Sequence, residues 1–438
     1  MSSPARAATL YVAACLAAAV VAGGLRRRAA AQTVDVQRAR TLVVGTPSGG
    51  ARADRIDAAR TGRAREALPS GGLRIEWRAS VGELVEHAPL VDTAGVTYVV
   101  GTRGEVGAVG RDGIERWHLA TGAMQPGPAA LLSDDTMVFV DAAGEAVAVR
   151  DGALRWRRRF GRGDAARPAP LPLDDGGVVV ATTQDLTVLD AEGRLRARAT
   201  LPEPTTFPLV AALGRVVAVG ASGTVWTWIP GAPEVLRAAS FETPIADGAA
   251  LAGGRTLLAV GAAQTQLLAL DLDRPGLASA ATTRAVAPAG LFLGPPAVRG
   301  STAHLLVTTP TTELAVAFDA SGSEISRSVL AVHPPPMAAD GGAGALVAPA
   351  HAPPIVDDAG RLAFATSDGT VGVVTGAGSE ALSDACPVAV ATVGRLPAVA
   401  GMAPLETGAF VVACASGTVL AVRGSPARGG GPSPMRGR

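Results

Sequence analysis

The sequence predicts an all-β protein, an eight-bladed β-propeller, from three repeating features. The first is a spacing of six and then nine residues between a proline and two glycines, and the second is an alternating apolar strand after the second glycine. The third is a tryptophan at intervals of 39 or 40 residues early in the chain. A unit of three or four short strands cannot cover its own apolar face, so neighbouring units must stack. A period of roughly 40 to 45 residues is that of a propeller blade.

The proline and glycine marks fall between the predicted strands, where the chain must turn. Glycine is favoured there because tight hairpin turns need positive φ. The full spacing occurs three times, and parts of it recur in other units. The marked residues are Pro89, Gly95 and Gly104; Pro208, Gly214 and Gly223; Pro354, Gly360 and Gly369; and Gly408 and Gly417.

Eight stretches alternate as half-buried strands do, because successive Cβ atoms point to opposite faces of a sheet. Spacing between them grows in the second half of the chain, which predicts longer loops there. Seven blades is the alternative, because the unit around Gly253, Gly254 and Leu267 matches the pattern least well. The eight stretches are Glu105 to Val109, Glu145 to Val149, Asp185 to Leu189, Thr224 to Trp228, Gln266 to Leu270, Glu313 to Phe318, Thr370 to Val374 and Thr418 to Val422.

Trp77, Trp117 and Trp156 indicate a fourth strand in the early units, and we expect their side chains to pack between blades. Trp77 precedes the first full unit, whereas the last unit, ending near Arg423, has no strand after it. Residues 73–79 are therefore predicted to complete the last blade. Closing the ring in this way removes sheet edges that would otherwise be exposed.

The composition agrees with a large, turn-rich β-protein. Hydrophobic residues make up 48% of the chain, with 54 glycines and 32 prolines, while aromatic residues are only 3%. The core must therefore consist mainly of Val, Leu and Ala. A net charge of +1 gives no reason to expect nucleic acid or an acidic substrate as a partner.

The two ends of the chain differ from the repeat region. Residues 7–25 are an apolar run flanked by arginines, and Ala29 to Ala31 offers a cleavage site, so we interpret residues 1–31 as a signal peptide or a membrane-anchoring helix. Residues 32–72 are interpreted as a linker or loosely packed lead-in, 73–424 as the propeller and 425–438 as a disordered tail. The predicted location is the periplasm or cell envelope, with membrane contact only through the amino-terminal segment.

No constellation of residues predicts a catalytic, cofactor-binding or metal site. There is no Gly-x-Ser-x-Gly motif, and the histidines lack the short spacings of a metal site. Cys386 and Cys414 are candidates for a disulfide in an exported protein, with two separate buried thiols as the alternative. We interpret the arginine run from Arg155 to Arg162 as the solvated edge of a blade. The five histidines are His87, His118, His304, His333 and His351.

Paired carboxylates recur at the same place in different units, between the first two predicted strands. These pairs are Asp134-Asp135, Asp174-Asp175 and Asp357-Asp358. Their repeated position indicates a role in turns and not in acid–base catalysis.

The first complete unit, from Pro89 through Gly104 to Trp117, resembles the blades of the quinoprotein-like propellers. These repeats occur in pyrroloquinoline-quinone (PQQ) dehydrogenases and in the non-catalytic outer-membrane assembly lipoprotein that shares their fold. The stretch from Asp57 to Arg63 is similar to the segment that often precedes the first blade in that family. The resemblance covers residues 57 to about 424.

The resemblance also implies what an enzyme of this family would carry. The dehydrogenases have an extended tryptophan-docking motif in most blades, bind calcium through Glu, Asn and Asp, and often hold two adjacent cysteines against the quinone. Here the segment from Asp112 to Trp117 is shortened, no cysteines are adjacent and the chain contains no asparagine. No catalytic, cofactor-binding or metal residue can therefore be transferred to this sequence.

We expect a non-catalytic scaffold without a cofactor, which binds one or more envelope proteins. The longer loops at 271–284, 331–352 and 376–390 are the predicted contact surface. A reduced quinoprotein dehydrogenase is one alternative. A sugar- or peptide-binding propeller, with Trp226 and Trp228 in an aromatic channel, is the other.

Overall fold

The computed structural model describes residues 50–160, 168–272, 281–332, 352–387 and 398–424. Within these ranges the regular elements are 32 β-strands, which form eight four-stranded antiparallel sheets. The prediction of an all-β, eight-bladed propeller is therefore confirmed. The alternative of seven blades is wrong, because the weakest repeat forms a complete sheet. The predicted amino-terminal helix and carboxyl-terminal tail lie outside the described residues.

The first four blades take their strands in chain order across each sheet. Blade 1 comprises β2 (Leu90–Val91), β3 (Thr97–Val100), β4 (Glu105–Val109) and β5 (Glu115–Ala120). Blade 2 comprises β6 (Ala130–Leu131), β7 (Met137–Val140), β8 (Glu145–Arg150) and β9 (Ala153–Arg159). Blade 3 comprises β10 (Leu171–Pro172), β11 (Val178–Ala181), β12 (Asp185–Leu189) and β13 (Leu195–Thr200). Blade 4 comprises β14 (Val210–Ala212), β15 (Arg215–Val219), β16 (Thr224–Trp228) and β17 (Leu236–Ser240).

The last four blades follow the same order, except that blade 8 borrows a strand from the start of the described chain. Blade 5 comprises β18 (Ala250–Ala252), β19 (Thr256–Val260), β20 (Gln266–Asp271) and β21 (Thr282–Val286). Blade 6 comprises β22 (Leu291–Arg299), β23 (Thr302–Thr308), β24 (Thr312–Phe318) and β25 (Glu324–Val332). Blade 7 comprises β26 (Ile355–Val356), β27 (Leu362–Ala365), β28 (Val371–Thr375) and β29 (Gly378–Leu382). Blade 8 comprises β30 (Val399–Glu406), β31 (Ala409–Cys414), β32 (Thr418–Arg423) and β1 (Arg74–Ser80).

Strand β1 closes the ring as predicted. It pairs antiparallel with β32, from Arg74 opposite Arg423 to Ser80 opposite Thr418. Blade 8 therefore contains both ends of the repeat region. All eight alternating stretches of the sequence form the third strand of a blade.

The hydrophobic core lies between blades, in eight clusters with one at each interface between neighbouring blades, and residues before the first blade join some of them. Between blades 1 and 2, for example, Leu90 and Val106 pack with Met137 and Phe139. The closing cluster brings Val99 of blade 1 against the residues of blade 8. The other interfaces around the ring are filled in the same way. No blade covers its apolar faces without its neighbours, which is why a minimum number of units is needed for stability.

Trp77, Trp117 and Trp156 pack across these interfaces as predicted, each against a glycine turn of the next blade. A Cβ added at Gly113 of blade 1 would come within 2.6 Å of the Trp77 ring of blade 8. Trp117 lies in the same way against Gly152, and Trp156 against Gly193. The turn glycines make room for the indole rings, so the two repeating features of the sequence are parts of one contact.

The proline and glycine marks occupy equivalent places in their blades. The prolines precede the first strand, the first glycine of each unit lies in the turn to the second strand, and the second glycine lies in the turn to the third. Gly369 illustrates why no side chain fits at the second glycine. Its φ is +89°, and a Cβ there would come within 1.9 Å of the Cys386 carbonyl oxygen. Both conditions exclude other residues from this turn.

Candidate functional site

Residues 51–68, called here the plug segment, run around the propeller axis and bond to the blades in ring order. Their backbone carbonyls accept hydrogen bonds from residues of the first strands or, in blade 8, from a turn. These bonds are Val91 N to Ala51 O (2.9 Å), Leu131 N to Arg52 O (2.7 Å), Ala211 N to Ala58 O (2.7 Å), Leu251 N to Ala59 O (3.0 Å), Val298 N to Thr61 O (2.7 Å), Val356 N to Gly62 O (2.9 Å) and Gly408 N to Ala67 O (2.7 Å).

Arg60 supplies the connection to blade 3 that the backbone of the plug segment lacks. Its side chain is fully buried, with 0% exposure. Nη2 donates to the carbonyls of Ala169 (3.2 Å) and Pro170 (2.9 Å), and Nε donates to Leu209 O (2.9 Å) of blade 4. Nη1 donates to Asp54 O at 2.8 Å within the plug segment itself. Each nitrogen of this guanidinium is therefore bonded.

This packing differs from the loosely packed lead-in expected for residues 32–72, of which residues 50–72 are described. Alanines of the plug segment such as Ala51, Ala53 and Ala64 are buried. The contacts that hold the segment are mostly made by backbone carbonyls, which leave no periodic pattern of side chains. The sequence therefore gave little signal of this arrangement beyond the likeness of Asp57 to Arg63 to a family segment.

A cavity of about 740 Å³ lies on the axis, beside the plug segment. Asp54, Arg55 and Arg60 of the plug segment form part of its wall. The blades contribute residues that mostly precede their first strands, at the opposite end of those strands from the bonds to the plug segment. Six of these residues are prolines, whose rings make a rigid apolar wall: Pro128, Pro168, Pro208, Pro295, Pro353 and Pro354.

Arg55 is the buried charge of this cavity whose bonding is incomplete. Arg55 is only 7% exposed, and its Nη2 donates to the carbonyl oxygen of Pro296. Nε and Nη1 have no hydrogen-bond partner. Burial lowers the pKa of the Arg55 guanidinium to about 10, although the charges of Asp54 and Asp247 act in the opposite direction. The desolvation of this side chain is therefore not fully offset by the protein.

Asp247 brings a carboxylate to the same cavity from the segment before blade 5. Asp247 is exposed only toward the cavity and is otherwise surrounded by protein atoms. Gly248 N donates to its Oδ1 at 2.6 Å. Desolvation raises the pKa of Asp247, while the Gly248 N–H and the charge of Arg55 partly counteract that rise. Arg55 and Asp247 influence each other electrostatically without forming an ion pair.

Cys386 and Cys414 are joined by a disulfide, with Cα atoms 5.3 Å apart. Cys386 follows the outer strand of blade 7, and Cys414 ends the second strand of blade 8. Both residues are fully buried in the cluster between these two blades. Of the two arrangements that the sequence left open, the structure therefore has the bonded one.

Three of the five histidines lie in the described residues, and each has different surroundings. His118 contacts Glu105 on the outer part of blade 1, at 2.9 Å, and His87 lies at the cavity. His304 is buried in β23, and Nε2 has no hydrogen-bond partner. His333 and His351 are outside the described residues. The described ranges contain no group of three or more His, Cys, Asp or Glu that could hold a metal ion.

The remaining candidate residues have structural surroundings. Trp228 is buried and its Nε1 donates to Ala232 O at 3.0 Å, while Trp226 Nε1 donates to Glu203 Oε1 at 2.9 Å. Neither tryptophan lines the axial cavity, so they do not form the aromatic channel considered from the sequence. Asp357 accepts N–H groups of Ala359 and Arg361 within its own turn, as a turn residue does.

The arginine run of blade 2 lies on the outer strand β9. Arg155, Arg158 and Arg159 are exposed, whereas Trp156 is buried. Arg157 is half-buried, and its guanidinium approaches Glu145 at 3.5 Å. This placement agrees with a solvated blade edge.

Comparison with known proteins places the fold among quinoprotein-like propellers. Residues 67–167 match the family model described as "Outer membrane protein assembly factor BamB". BamB from Moraxella catarrhalis is similar in structure, with a TM-score of 0.51 and 15% identity, covering 81% of this chain and 98% of its own. No curated protein matches the sequence.

Two quinohemoprotein alcohol dehydrogenases share the fold as well. The enzyme from Comamonas testosteroni has a TM-score of 0.63 at 12% identity, covering 93% of this chain and 86% of its own. ADHIIG from Pseudomonas putida HK5 has a TM-score of 0.54 at 11% identity, covering 89% and 82%. The predicted resemblance to PQQ-like propellers is thus confirmed, and its structural neighbours include both BamB and dehydrogenases.

Proposed function

We propose that this PQQ-like propeller is a non-catalytic scaffold that binds another protein of the cell envelope. The observation that carries the proposal is the closed ring itself, joined through β1 and β32 and held from inside by the plug segment. A closed ring of this kind holds its loops and outer strands in fixed positions. Binding a partner there therefore costs little conformational entropy. The description of the matching family model as an outer membrane protein assembly factor supports an envelope role.

The disulfide between Cys386 and Cys414 supports a location outside the cytoplasm. Disulfides form and persist in the periplasm and on cell surfaces and are rare in reducing compartments. The predicted signal peptide or anchor at residues 1–31 lies outside the described residues and agrees with the same location. Among the described residues, none belongs to an apolar helix of membrane-spanning length.

The outer strand β25 of blade 6 is the described surface that best fits a protein contact. It is nine residues long, and Ile325, Val329 and Val332 are 54%, 52% and 74% exposed. The other outer strands within the described residues expose at most one large apolar side chain each. Exposed apolar side chains gathered on one strand indicate an interaction surface. The segments at 271–284, 331–352 and 376–390 are the additional contacts we propose. The first two lie mostly outside the described residues, whereas 376–387 is described and, contrary to the loop predicted there, includes the outer strand β29 (Gly378–Leu382) of blade 7.

Site-specific cross-linking in native cells tests this function. A photoreactive residue at Val329 is expected to capture an envelope protein, whereas the same residue at Leu195, which is 64% exposed on outer strand β13, is expected not to. The same captured protein should lose its cross-link when Ile325 and Val332 are both replaced by Asp. Equal capture from both positions, or none from Val329, would count against this contact surface.

A quinoprotein dehydrogenase is the second candidate, because two structural neighbours are quinohemoprotein alcohol dehydrogenases and the axial cavity has room for a small molecule. Adding PQQ and calcium to the purified protein, followed by an alcohol and a redox dye, tests it directly. Reduction of the dye would establish the enzyme. Without dye reduction or a change in the PQQ spectrum, the scaffold function is the one supported.

A further inference from the structure

We infer that the axial cavity binds an organic monocation, with an ammonium group beside the carboxylates of Asp54 and Asp247 and an apolar body along the proline wall. This ligand goes beyond the protein-binding role proposed above and does not depend on it. The two can be tested separately, because β25 lies on the outside of the ring and the cavity lies on its axis.

The charged groups of the cavity wall that a ligand can reach are carboxylates. Asp247 and Glu86 are exposed at the cavity, and Asp54 is half-buried. The two arginines of the wall are closed to a ligand. Arg60 is 0% exposed and its three side-chain nitrogens donate to backbone carbonyls. In Arg55, Nε and Nη1 are buried and Nη2 donates to a backbone carbonyl, so the direct contacts left to a ligand are with negative groups.

These carboxylates accept few hydrogen bonds from the protein. Among the described residues, the one donor to Asp247 is Gly248 N, 2.6 Å from Oδ1, and Oδ2 has none. Within the same ranges, the carboxylates of Asp54 and Glu86 accept no hydrogen bond and form no ion pair. By contrast, the buried carboxylate of Asp357 accepts hydrogen bonds on both oxygens. An enclosed carboxylate with an unbonded oxygen is unusual in a folded protein, and it leaves an acceptor for the N–H groups of a ligand.

The size and the walls of the cavity define the rest of the ligand. A volume of about 740 Å³ falls in the range of sites for small molecules. The wall contains prolines from several blades together with Ala249, Ile355 and Met402, and these side chains fit an apolar body. The described ranges contain no group of three or more His, Cys, Asp or Glu that could hold a metal ion. A wide, largely apolar cavity with two neighbouring carboxylates therefore fits an organic cation better than a metal.

The charges at the cavity favour one cation. Three carboxylates and two guanidinium groups line it, which is an excess of one negative charge. The remaining titratable residue of the lining, His87, has a backbone carbonyl 3.2 Å from its Nε2. Desolvation raises the pKa of Asp247, and the charge of Asp54 adds to that rise, whereas Arg55 opposes it without cancelling it. A cation beside both carboxylates would stabilise their ionised forms.

Calorimetry with three probes of equal chain length distinguishes the chemistry in the unmodified protein. Octylammonium is expected to bind about tenfold more tightly than octanol or octanoate, because it alone can donate charged hydrogen bonds to the carboxylates. Binding of octanol or octanoate as tight as that of octylammonium would overturn the inference. This comparison needs no variant and is therefore independent of any effect on folding.

Variants locate the cation. Asp247→Asn keeps the shape of the side chain and removes its charge, so it should weaken octylammonium binding about tenfold and leave octanol binding unchanged. Asp174→Asn makes the same change at an exposed position of blade 3 outside the cavity, and it should leave both affinities unchanged. Wild-type octylammonium affinity in a folded Asp247→Asn protein would contradict the site, and so would equal losses in the two variants. If Asp247→Asn does not fold, the comparison of the three probes in the wild-type protein decides.

Discussion

The indole of Trp77 in blade 8 lies against Gly113 of blade 1, and its Nε1 donates to Arg111 O at 2.9 Å. Trp77 belongs to the strand that precedes the first full repeat, so this contact joins the beginning of the repeat region to the turn of the following blade. Together with the pairing of β1 and β32, it makes the closing interface resemble the interfaces between other neighbouring blades. The ring is therefore closed at Trp77 by the same kind of contact that joins other neighbouring blades.

A substitution at Gly113 should weaken the closing contact. Gly113→Ala places a Cβ within 2.6 Å of the Trp77 ring, whereas Gly122→Ala meets no atom within 4 Å. The two glycines have similar φ values, +79° and +69°, so the conformational cost is shared. We expect Gly113→Ala to reduce the free energy of unfolding by about 1–3 kcal/mol more than Gly122→Ala, as overpacking does. Urea denaturation measures both, and equal losses would contradict the packing described for Trp77.

Arg60 should be essential for the stability of the plug segment. Arg60→Met removes donors from four backbone carbonyls, three of them on blades 3 and 4, and leaves these acceptors unsatisfied in a buried place. The expected loss in free energy of unfolding is about 3 kcal/mol or more. Arg237→Met, on the exposed outer strand of blade 4, should change it by less than about 0.5 kcal/mol. Similar denaturation midpoints for the two variants would show that the plug segment is held without Arg60.

The disulfide should contribute to the stability of the last two blades. It spans 28 residues of sequence, a loop for which the chain-entropy model gives about 3–4 kcal/mol. A reductant should therefore lower the denaturation midpoint of the wild-type protein. The Cys386→Ala/Cys414→Ala double variant should be less stable and insensitive to the same reductant. A reductant effect of equal size on both proteins would exclude this bond as its cause.

Buried His304 should make the protein less stable as the pH falls. Desolvation, and secondarily the positive charge of Arg299, lower its pKa from 6.5 to about 4. The unfolded chain therefore takes up a proton first, and stability is lost between about pH 6.5 and pH 4 and changes no further below that range. At about 1.4 kcal/mol per pKa unit, the full loss is roughly 3 kcal/mol.

Comparison with His304→Leu isolates this titration from that of other groups. Chemical denaturation at pH 7, 5.5 and 4 should show the wild-type protein losing stability more steeply than the variant. Parallel pH profiles would mean that His304 is protonated as readily in the folded protein as in the unfolded chain.

Much of the fold could be predicted because each blade repeats the same local requirements. The alternation from Glu105 to Val109 and the glycines at turns reflect strand geometry and positive φ, and both are visible in sequence. The closing role of residues 73–79 followed from counting strands. The axial site could not be predicted in this way, because residues such as Arg55 and Asp247 are about 190 positions apart and neither belongs to a repeating pattern.

By itself, the sequence determined the propeller architecture, with eight blades predicted and seven as the alternative, the third strand of each blade and the closure of the ring, because period-two alternation and turn glycines are local constraints that recur. The structure decided that there are eight blades. Only the tertiary structure decided that Cys386 bonds to Cys414 and that residues 51–68 line the axis. It also showed that Arg60 is fully bonded while Arg55 keeps two free donors. These features depend on backbone carbonyls and side chains from distant blades meeting in space, and such meetings leave no periodic trace along the chain.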